Sequence, residues 1–182
     1  GLYDFPSGQR TRFVPLTSNS DTALLTFSPD GESLAVSPFP SNITFIVSLR
    51  TGTSVSLKAA NREEASWAAR SVWHPASERL AVSSLFKTVL FGRTGETLAV
   101  STQTVFSAVF AGNGELLIGR VGNEISMLDG KTLRPIGEFE EDYFTLMATS
   151  PVDPWLRLYG PNGALRPAGP APCPPPGRCP PR

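Results

Sequence analysis

The chain has 182 residues, of which 40% are apolar and 18% are charged, so its composition is that of a folded domain and not of a disordered segment. Its 16 basic residues balance its 16 acidic residues, which argues against nucleic acid and anionic membrane surfaces as partners. No apolar run approaches the roughly 18 residues that a membrane-spanning helix needs.

The first predicted elements are two short strands, Leu2–Phe5 and Arg10–Val14, which we interpret as the last part of an incomplete structural unit. A fuller unit follows at 22–58. It opens with a hairpin over Leu24–Val36, whose turn is Pro-Asp-Gly, because proline presets φ and glycine accepts a positive φ. An extended segment then leads to a second turn at Gly52, so this unit is predicted to contain two hairpins in series.

The hairpin pattern returns at Val72–Val82 and at Val109–Ile118, within predicted units at 67–101 and 104–139. An aromatic residue precedes the turn in each copy, and these residues, spaced by 46 and then 37 positions, are Phe27, Trp73 and Phe110. A repeat of about forty residues built from short strands favours a propeller, because sandwiches and simple barrels have no sequence repeat of that length.

Three more predicted strands, at Tyr143–Ala148, Trp155–Tyr159 and Ala164–Arg166, begin another unit. We therefore assign 1–166 to one set of repeats. Eight of the last sixteen residues are prolines, so 167–182 are predicted to form a disordered, partly polyproline II tail. The segment Ala59–Ala69 has the composition of a helical turn, but we assign it to a loop.

The segment Phe27–Gly31, followed by Leu34–Val36 and by an extended strand that ends at Arg50–Gly52, resembles part of a WD repeat. The resemblance implies an all-β fold made of β-propeller blades, which are four-stranded antiparallel sheets, with three fuller blades and partial blades at both ends. At the positions of the family's Trp-Asp pair the repeats carry other residues, namely Ser48-Leu49, Phe91-Gly92 and Leu128-Asp129.

The resemblance further implies that the three aromatic residues end the innermost strands of their blades. We expect Phe27 to lie in the core, so that replacing it with alanine would cost about 3–5 kcal/mol. The partial terminal blades leave two arrangements open: they form one blade that closes a ring of four, or the chain is a fragment of a larger ring, which we favour. An unclosed set of blades would expose strand edges and an apolar face, which invites self-association.

The sequence offers few residues for catalysis. Its one histidine, His74, lies in a predicted turn, and neither a Gly-x-Ser-x-Gly motif nor a phosphate-binding loop is present. The tail cysteines, Cys173 and Cys179, cannot make a zinc site with one histidine, and the acidic residues at 138–142 lack the spacing of a calcium loop. We therefore predict a protein that is not an enzyme and uses no metal or other cofactor. The cysteines leave the compartment open, with the cytoplasm favoured.

What remains is a surface for another protein or a peptide. In the WD-repeat arrangement that the chain resembles, partners commonly bind to the face formed by the loops between blades and by the loops between second and third strands. Aromatic residues and arginine dominate binding energy at interfaces. On this basis the candidate partner-binding residues in these loops are Phe39, Arg62, Glu63, Trp67, Arg120 and Asp142.

The sequence thus predicts a non-catalytic protein-interaction scaffold, with no nucleic acid and no membrane among its partners. The alternative is a propeller that forms a substrate-gating or accessory part of a larger enzyme, as in certain serine peptidases, or that belongs to a periplasmic assembly factor.

Overall fold

The computed structural model of the chain describes residues 2–3, 7–14, 22–39, 43–58, 70–84, 87–103, 105–111, 114–121, 124–140, 146–150, 153–159 and 165–167. The strands in these ranges form antiparallel sheets. None of these ranges contains a helix with the length and apolarity that a bilayer crossing requires. The chain divides into two compact units, 1–104 and 105–182.

The first unit contains a two-stranded sheet and two four-stranded sheets. The two-stranded sheet consists of β1 (Leu2–Tyr3) and β2 (Arg10–Arg12). In both larger sheets the strands lie side by side in chain order. The first larger sheet comprises β3 (Thr22–Phe27), β4 (Ser33–Phe39), β5 (Ile43–Ser48) and β6 (Ser54–Lys58). The second comprises β7 (Arg70–Trp73), β8 (Arg79–Ser83), β9 (Thr88–Gly92) and β10 (Thr97–Ser101).

The two four-stranded sheets of this unit pack against each other through apolar side chains. The first sheet contributes Ala35, Ile46 and Leu57, and the second contributes Trp73, Leu80, Val82, Val89 and Phe91. The opposite face of the first sheet carries a second cluster, against which Val14 packs, formed by Leu34, Val36, Phe45 and Val47. The strands β4 and β5 are therefore buried on both faces, which explains their nearly continuous apolar sequences.

Phe27 and Trp73 hold matching positions, since each pairs with a leucine of the next strand, but they differ in burial. Trp73 is 5% exposed, whereas Phe27 is 59% exposed, so the prediction that Phe27 lies in the core is wrong. The side chain of Phe27 lies on the face of the first four-stranded sheet that is turned away from the second. Val14 packs on this same face, but against β4 and β5. Phe110, in the second unit, is 3% exposed.

The second unit contains one four-stranded sheet and one three-stranded sheet. The first comprises β11 (Phe106–Ala111), β12 (Leu116–Val121), β13 (Glu124–Asp129) and β14 (Pro135–Glu140). The second comprises β15 (Leu146–Ser150), β16 (Asp153–Tyr159) and β17 (Leu165–Pro167), and its first two strands lie beside β11. The buried apolar cluster of this unit is formed by Ala111, Leu116, Ile118 and Ile125.

Three four-stranded antiparallel sheets therefore lie at the three predicted blade positions, and shorter sheets lie at the positions of the predicted partial blades. The predicted loop at 59–69 and residues 168–182 of the predicted tail lie outside the described residues. The assignment of 1–166 to a single set of blades stays a prediction.

Candidate functional site

The blades of the first unit have two ends that differ in their contacts. One end, which we call the turn end, carries the tight turns between β3 and β4, β5 and β6, β7 and β8, and β9 and β10. The loop end is the opposite one, where β4 connects to β5, β8 connects to β9 and β6 leads to β7. Of the predicted partner-binding residues, the structure describes Phe39 at the loop end of the first unit.

At the turn end, an ion-pair network joins the two four-stranded sheets. Arg93, in the β9–β10 turn, contacts the carboxylate of Asp30 at 2.6 Å and that of Glu32 at 3.1 Å, and both acidic residues lie in the β3–β4 turn. The backbone N–H of Asp30 donates to Ser77 Oγ, in the β7–β8 turn, over 3.0 Å. The polar groups of three turns are therefore engaged with one another.

The pKa of Asp30 is lowered from 3.8 to about 2. The largest cause is the hydroxyl of Ser28, which donates to Asp30 Oδ1 over 2.6 Å, followed by the backbone N–H of Glu32 at 3.0 Å. The guanidinium of Arg93 lowers the pKa further. Asp30 is therefore ionised at neutral pH, which suits an acceptor of hydrogen bonds and not a general acid.

His74 directly follows β7 and is 4% exposed. Its Nδ1 accepts a hydrogen bond from the N–H of Ala76 over 3.1 Å, and its Nε2 lies 3.0 Å from Nη2 of Arg79. Arg79 in turn pairs with Glu78 at 2.7 Å. These contacts enclose the imidazole within its own turn, which supports a structural role for it. In the described part of the chain no group of three His, Cys, Asp or Glu side chains is placed to bind a metal ion.

At the loop end, Phe39 is the last residue of β4 and pairs with Thr22 of β3. Its side chain is 42% exposed. The sequence predicted Phe39 to lie in a loop, but β4 continues to Phe39, and Ser37 and Pro38 are buried residues of that strand. Phe39 therefore sits on a strand, which holds it more rigidly than a loop would.

Two buried hydroxyl pairs lie below the loop end. Ser37 Oγ and Thr44 Oγ1 are 2.9 Å apart between β4 and β5, and Ser83 Oγ and Thr88 Oγ1 are 3.2 Å apart between β8 and β9. These pairs were not predicted, although the sequence carries a signal for them: a serine follows Leu34 and Leu80 by three positions, at matching places in the two repeats. In the second unit Arg120 follows Leu117 by the same three positions.

The structure describes two of the six predicted partner-binding residues. Phe39 lies in the first unit, and Arg120 lies in the second unit, within β12, where its backbone pairs with Ile125. β12 continues to Val121, so Arg120 is a strand residue and not a loop residue. The other four predicted residues lie outside the described ranges, namely Arg62, Glu63, Trp67 and Asp142. A role of all six in binding stays a prediction.

No protein-family model and no curated protein sequence matches the chain. Among solved structures, the chain is similar to one in the crystal structure of the mitotic checkpoint complex, with a TM-score of 0.63 and 19% identity over 79% of this chain and 47% of that one. The crystal structure of RRP9 WD40 repeats matches with a TM-score of 0.60 and 12% identity over 79% of this chain and 49% of that one.

The chain has a WD-repeat-like β-propeller fold. A structure of hydrazine synthase from Kuenenia stuttgartiensis is also similar, with a TM-score of 0.60 and 13% identity over 79% of this chain and 45% of that one. The WD-repeat-like chain thus spans about half the length of each of these three chains. At such identities the similarity concerns the fold alone.

Proposed function

We propose that this WD-repeat-like chain is a non-catalytic protein-interaction scaffold, which binds another protein or a peptide at the loop end of its blades. The observation that carries the proposal is the aromatic side chain that β4 holds at the loop end. At the turn end Arg93 pairs with Asp30 and Glu32, although Phe27 and Arg50 are exposed there. At the loop end, an aromatic side chain, Phe39, is held on a strand and is partly exposed.

The chemistry of the candidate residues fits a polypeptide partner. The six candidate residues comprise two aromatic residues, two arginines and two acidic residues, a composition that suits apolar contacts together with charges of both signs. A nucleic acid or an anionic membrane would be better matched by a surplus of basic residues, and the chain has a formal net charge of zero.

A second candidate function is that of an accessory or gating domain in a larger enzyme. The similarity to hydrazine synthase favours this second function. The similarities to the mitotic checkpoint complex and to RRP9 favour the scaffold. In this second function the loop end would contact a catalytic domain or its substrate, so the same residues would be engaged with a different partner.

The test begins with the full 182-residue chain as bait in an extract of its source cells, and the captured proteins are identified and purified. Their affinities for the wild type and for the double variant Phe39→Ala, Arg62→Ala are then measured by calorimetry. We expect the double variant to bind at least about tenfold more weakly, because truncation of anchor residues commonly costs more than 1 kcal/mol each.

The matched control is Arg50→Ala, which removes an exposed arginine in the β5–β6 turn at the turn end. It should bind with the affinity of the wild type. Unchanged binding of the double variant, or a loss confined to Arg50→Ala, would contradict binding at the loop end. A captured enzyme whose turnover changes when the chain is added would favour the second candidate.

A further inference from the structure

The short sheet of β1 and β2 matches the last two strands of the first four-stranded sheet. Gly8 and Gly52 both have a positive φ, 68° and 77°, in the turns that join β1 to β2 and β5 to β6. Tyr3 and Arg10, which stand five positions before Gly8 and two after it, pair with each other, and the residues at the same distances from Gly52 also pair. β1 and β2 therefore correspond to β5 and β6. Among the described residues their sheet has no further strand, so it lacks counterparts of β3 and β4.

The face of the first four-stranded sheet that is turned away from the second sheet is covered only in part. Val14, two positions after β2, packs against the buried apolar cluster of β4 and β5 on this face. Leu25 and Phe27 of β3 pair with two residues of that cluster, so their side chains lie on the same face. They are 60% and 59% exposed. The described residues therefore cover the β4 and β5 part of this apolar face and leave the β3 part exposed.

The second four-stranded sheet shows what covers the matching positions within the same unit. Trp73 of β7 holds the position of Phe27, and it packs against Ala35 of β4. Its Nε1 donates to the carbonyl oxygen of Thr26 of β3 over 3.0 Å, and the Ser71 hydroxyl lies 3.4 Å from the Thr26 hydroxyl. The hairpin β3–β4 therefore covers β7. A hairpin in the same place relative to β3 covers the two exposed side chains and supplies the two strands that the β1–β2 sheet lacks.

We propose that a β-hairpin of a partner protein docks on the exposed residues of β3 and extends the β1–β2 sheet to four strands. One strand of the hairpin pairs antiparallel with β1, at the edge to which no described strand is paired. Its docking face carries small, uncharged side chains, as Thr26 and Ala35 are where the β3–β4 hairpin receives Trp73. Phe27 has no N–H in its side chain, so its contact with the hairpin is apolar.

The hairpin comes from another protein, because the hairpins in the described part of this chain are already in use. β3–β4 continues into β5, β7–β8 into β9, β11–β12 into β13, and β15–β16 into β17. β1 has only two residues and is too short to cover the exposed pair. A second copy has the same hairpins engaged in the same way, so it has none to offer. The exposed pair lies on the face of a sheet and not at the loop end, so this inference goes beyond the proposed function.

The complex is expected to have moderate affinity. Two strands with the lengths of β3 and β4, six and seven residues, provide roughly half the residues on one side of a standard interface. A two-stranded hairpin is also marginally stable by itself, so it loses conformational freedom when it docks. We therefore expect a dissociation constant on the order of 10 µM.

The probe is a fluorescently labelled synthetic peptide with the sequence of residues 22–39, which form the β3–β4 hairpin in the structure. The peptide carries Leu25→Lys and Phe27→Lys, on the face that does not dock, so that it stays soluble. Fluorescence anisotropy measures its binding to the full 182-residue chain. A control peptide that also carries Ala35→Glu has a charge in the centre of the docking face, and it should bind at least about tenfold more weakly.

Variants of the full chain locate the binding site of the probe. Phe27→Lys should weaken binding at least about tenfold, because it places a charge in the apolar contact. Phe27→Thr, which keeps β-propensity but removes the ring, should also weaken binding and guards against misfolding of the lysine variant. Ile136→Lys changes a residue of β14 that is 49% exposed, and it should bind the probe like the wild type. In the wild type, hydrogen exchange of the β1 amides should slow by about tenfold when the probe is saturating.

Three results would overturn the proposal: a wild type that does not bind the probe, equal binding by the wild type and Phe27→Lys, and exchange in β1 that the probe leaves unchanged. Sedimentation velocity without the probe, in a reducing buffer that prevents disulfides through Cys173 and Cys179, tests the other occupant. The wild type should remain monomeric. A dimer that Phe27→Lys abolishes would assign the exposed face to a second copy of the chain and would contradict a partner hairpin.

Discussion

Trp73 and Phe27 have the same place in two repeats, but only Trp73 has a neighbouring sheet against its side chain. Its ring packs with Ala35, Ile46 and Leu57 of the first sheet, and its Nε1 donates to the Thr26 carbonyl oxygen. The large ring is therefore buried together with its polar group, which has a partner as buried indoles usually do. One residue thus joins two successive blades through both packing and hydrogen bonding.

Replacing Trp73 with alanine should destabilise the protein by about 3–5 kcal/mol, because removing the large buried ring leaves a cavity and takes away the hydrogen-bond donor of the Thr26 carbonyl oxygen. Phe27→Ala is the matched control and should cost less than about 1 kcal/mol, since exposed side chains contribute little. Urea unfolding of the two variants and the wild type measures both values. Equal costs would contradict the difference in packing between the two repeats.

Asp30 should make part of the stability of the protein dependent on pH. Its pKa is lowered to about 2 in the folded state, chiefly by the Ser28 hydroxyl, so the unfolded chain binds its proton at a higher pH than the folded chain does. The stabilisation is therefore complete above about pH 4 and is lost as the pH falls through about 2. The difference in unfolding free energy between the wild type and Asp30→Asn should shrink over that range.

The measurement is urea unfolding at several pH values between 6 and the lowest pH at which both proteins stay folded. Glu124→Gln, at an exposed position that begins β13, controls for the loss of one carboxylate. For each variant the quantity compared is its unfolding free energy relative to that of the wild type. If this quantity changed no more with pH for Asp30→Asn than for Glu124→Gln, the hydrogen bonds assigned to Asp30 would not stabilise its ionised form.

At the scale of the elements, the β9–β10 turn shows how closely two blades approach. Gly95, in this turn, has a φ of 93°, and a β-carbon added to it would lie 2.6 Å from Val55 Cγ1 and 3.2 Å from Leu57 Cδ2. A glycine is required here for two reasons, the positive φ and the close contact with β6. The turn of one blade therefore rests directly on the last strand of its neighbour.

The variant Gly95→Ala should destabilise the protein by about 2–4 kcal/mol, the sum of backbone strain and overpacking. Gly31→Ala is the control, because Gly31 also has a positive φ, 71°, but a β-carbon there would meet nothing within 4 Å. It should cost about 1–2 kcal/mol, from strain alone. Thermal or urea unfolding distinguishes the two, and an equal loss would mean that the turn does not press on β6.

Turn chemistry made most of the strands predictable from sequence. Pro29-Asp30-Gly31 and the Thr51-Gly52 pair mark the ends of β3, β4 and β5 because those residues accept the φ values that the turns need. Strand ends at the loop end were less predictable. β4 reaches Phe39 and β12 reaches Val121, because pairing with neighbouring strands extends them, and that pairing depends on contacts remote in sequence.

The candidate site was harder to predict than the fold. The sequence could select aromatic residues and arginines near expected loops, but whether such a residue is exposed depends on which sheet lies opposite. Phe27 illustrates this limit, since its repeat position predicts burial and its surroundings leave it exposed. Arg120 illustrates another limit. The sequence placed this arginine in a binding loop, but its backbone pairs with the strands on both sides of β12.

At the scale of the whole molecule, the same supersecondary unit recurs. Each of the three four-stranded sheets pairs its strands in chain order, and the central strands of each are the most deeply buried part of it. A single sheet of this kind cannot bury both of its faces, and in the first unit the two four-stranded sheets stabilise one another. The binding function proposed for the loop end depends on this arrangement, because the sheets fix where the loops begin and end.

Hydrogen exchange of the full chain, followed by mass spectrometry, tests the repeated sheets most directly. We predict three groups of slowly exchanging amides, at 33–48, 79–92 and 116–129, where the central strand pairs β4–β5, β8–β9 and β12–β13 lie. Rapid exchange should separate the second group from the third at the exposed residues Thr94 and Glu96 of the turn that joins β9 to β10. Protection confined to one of the three groups, or slow exchange that runs continuously across the joining segments, would contradict an architecture of successive blades.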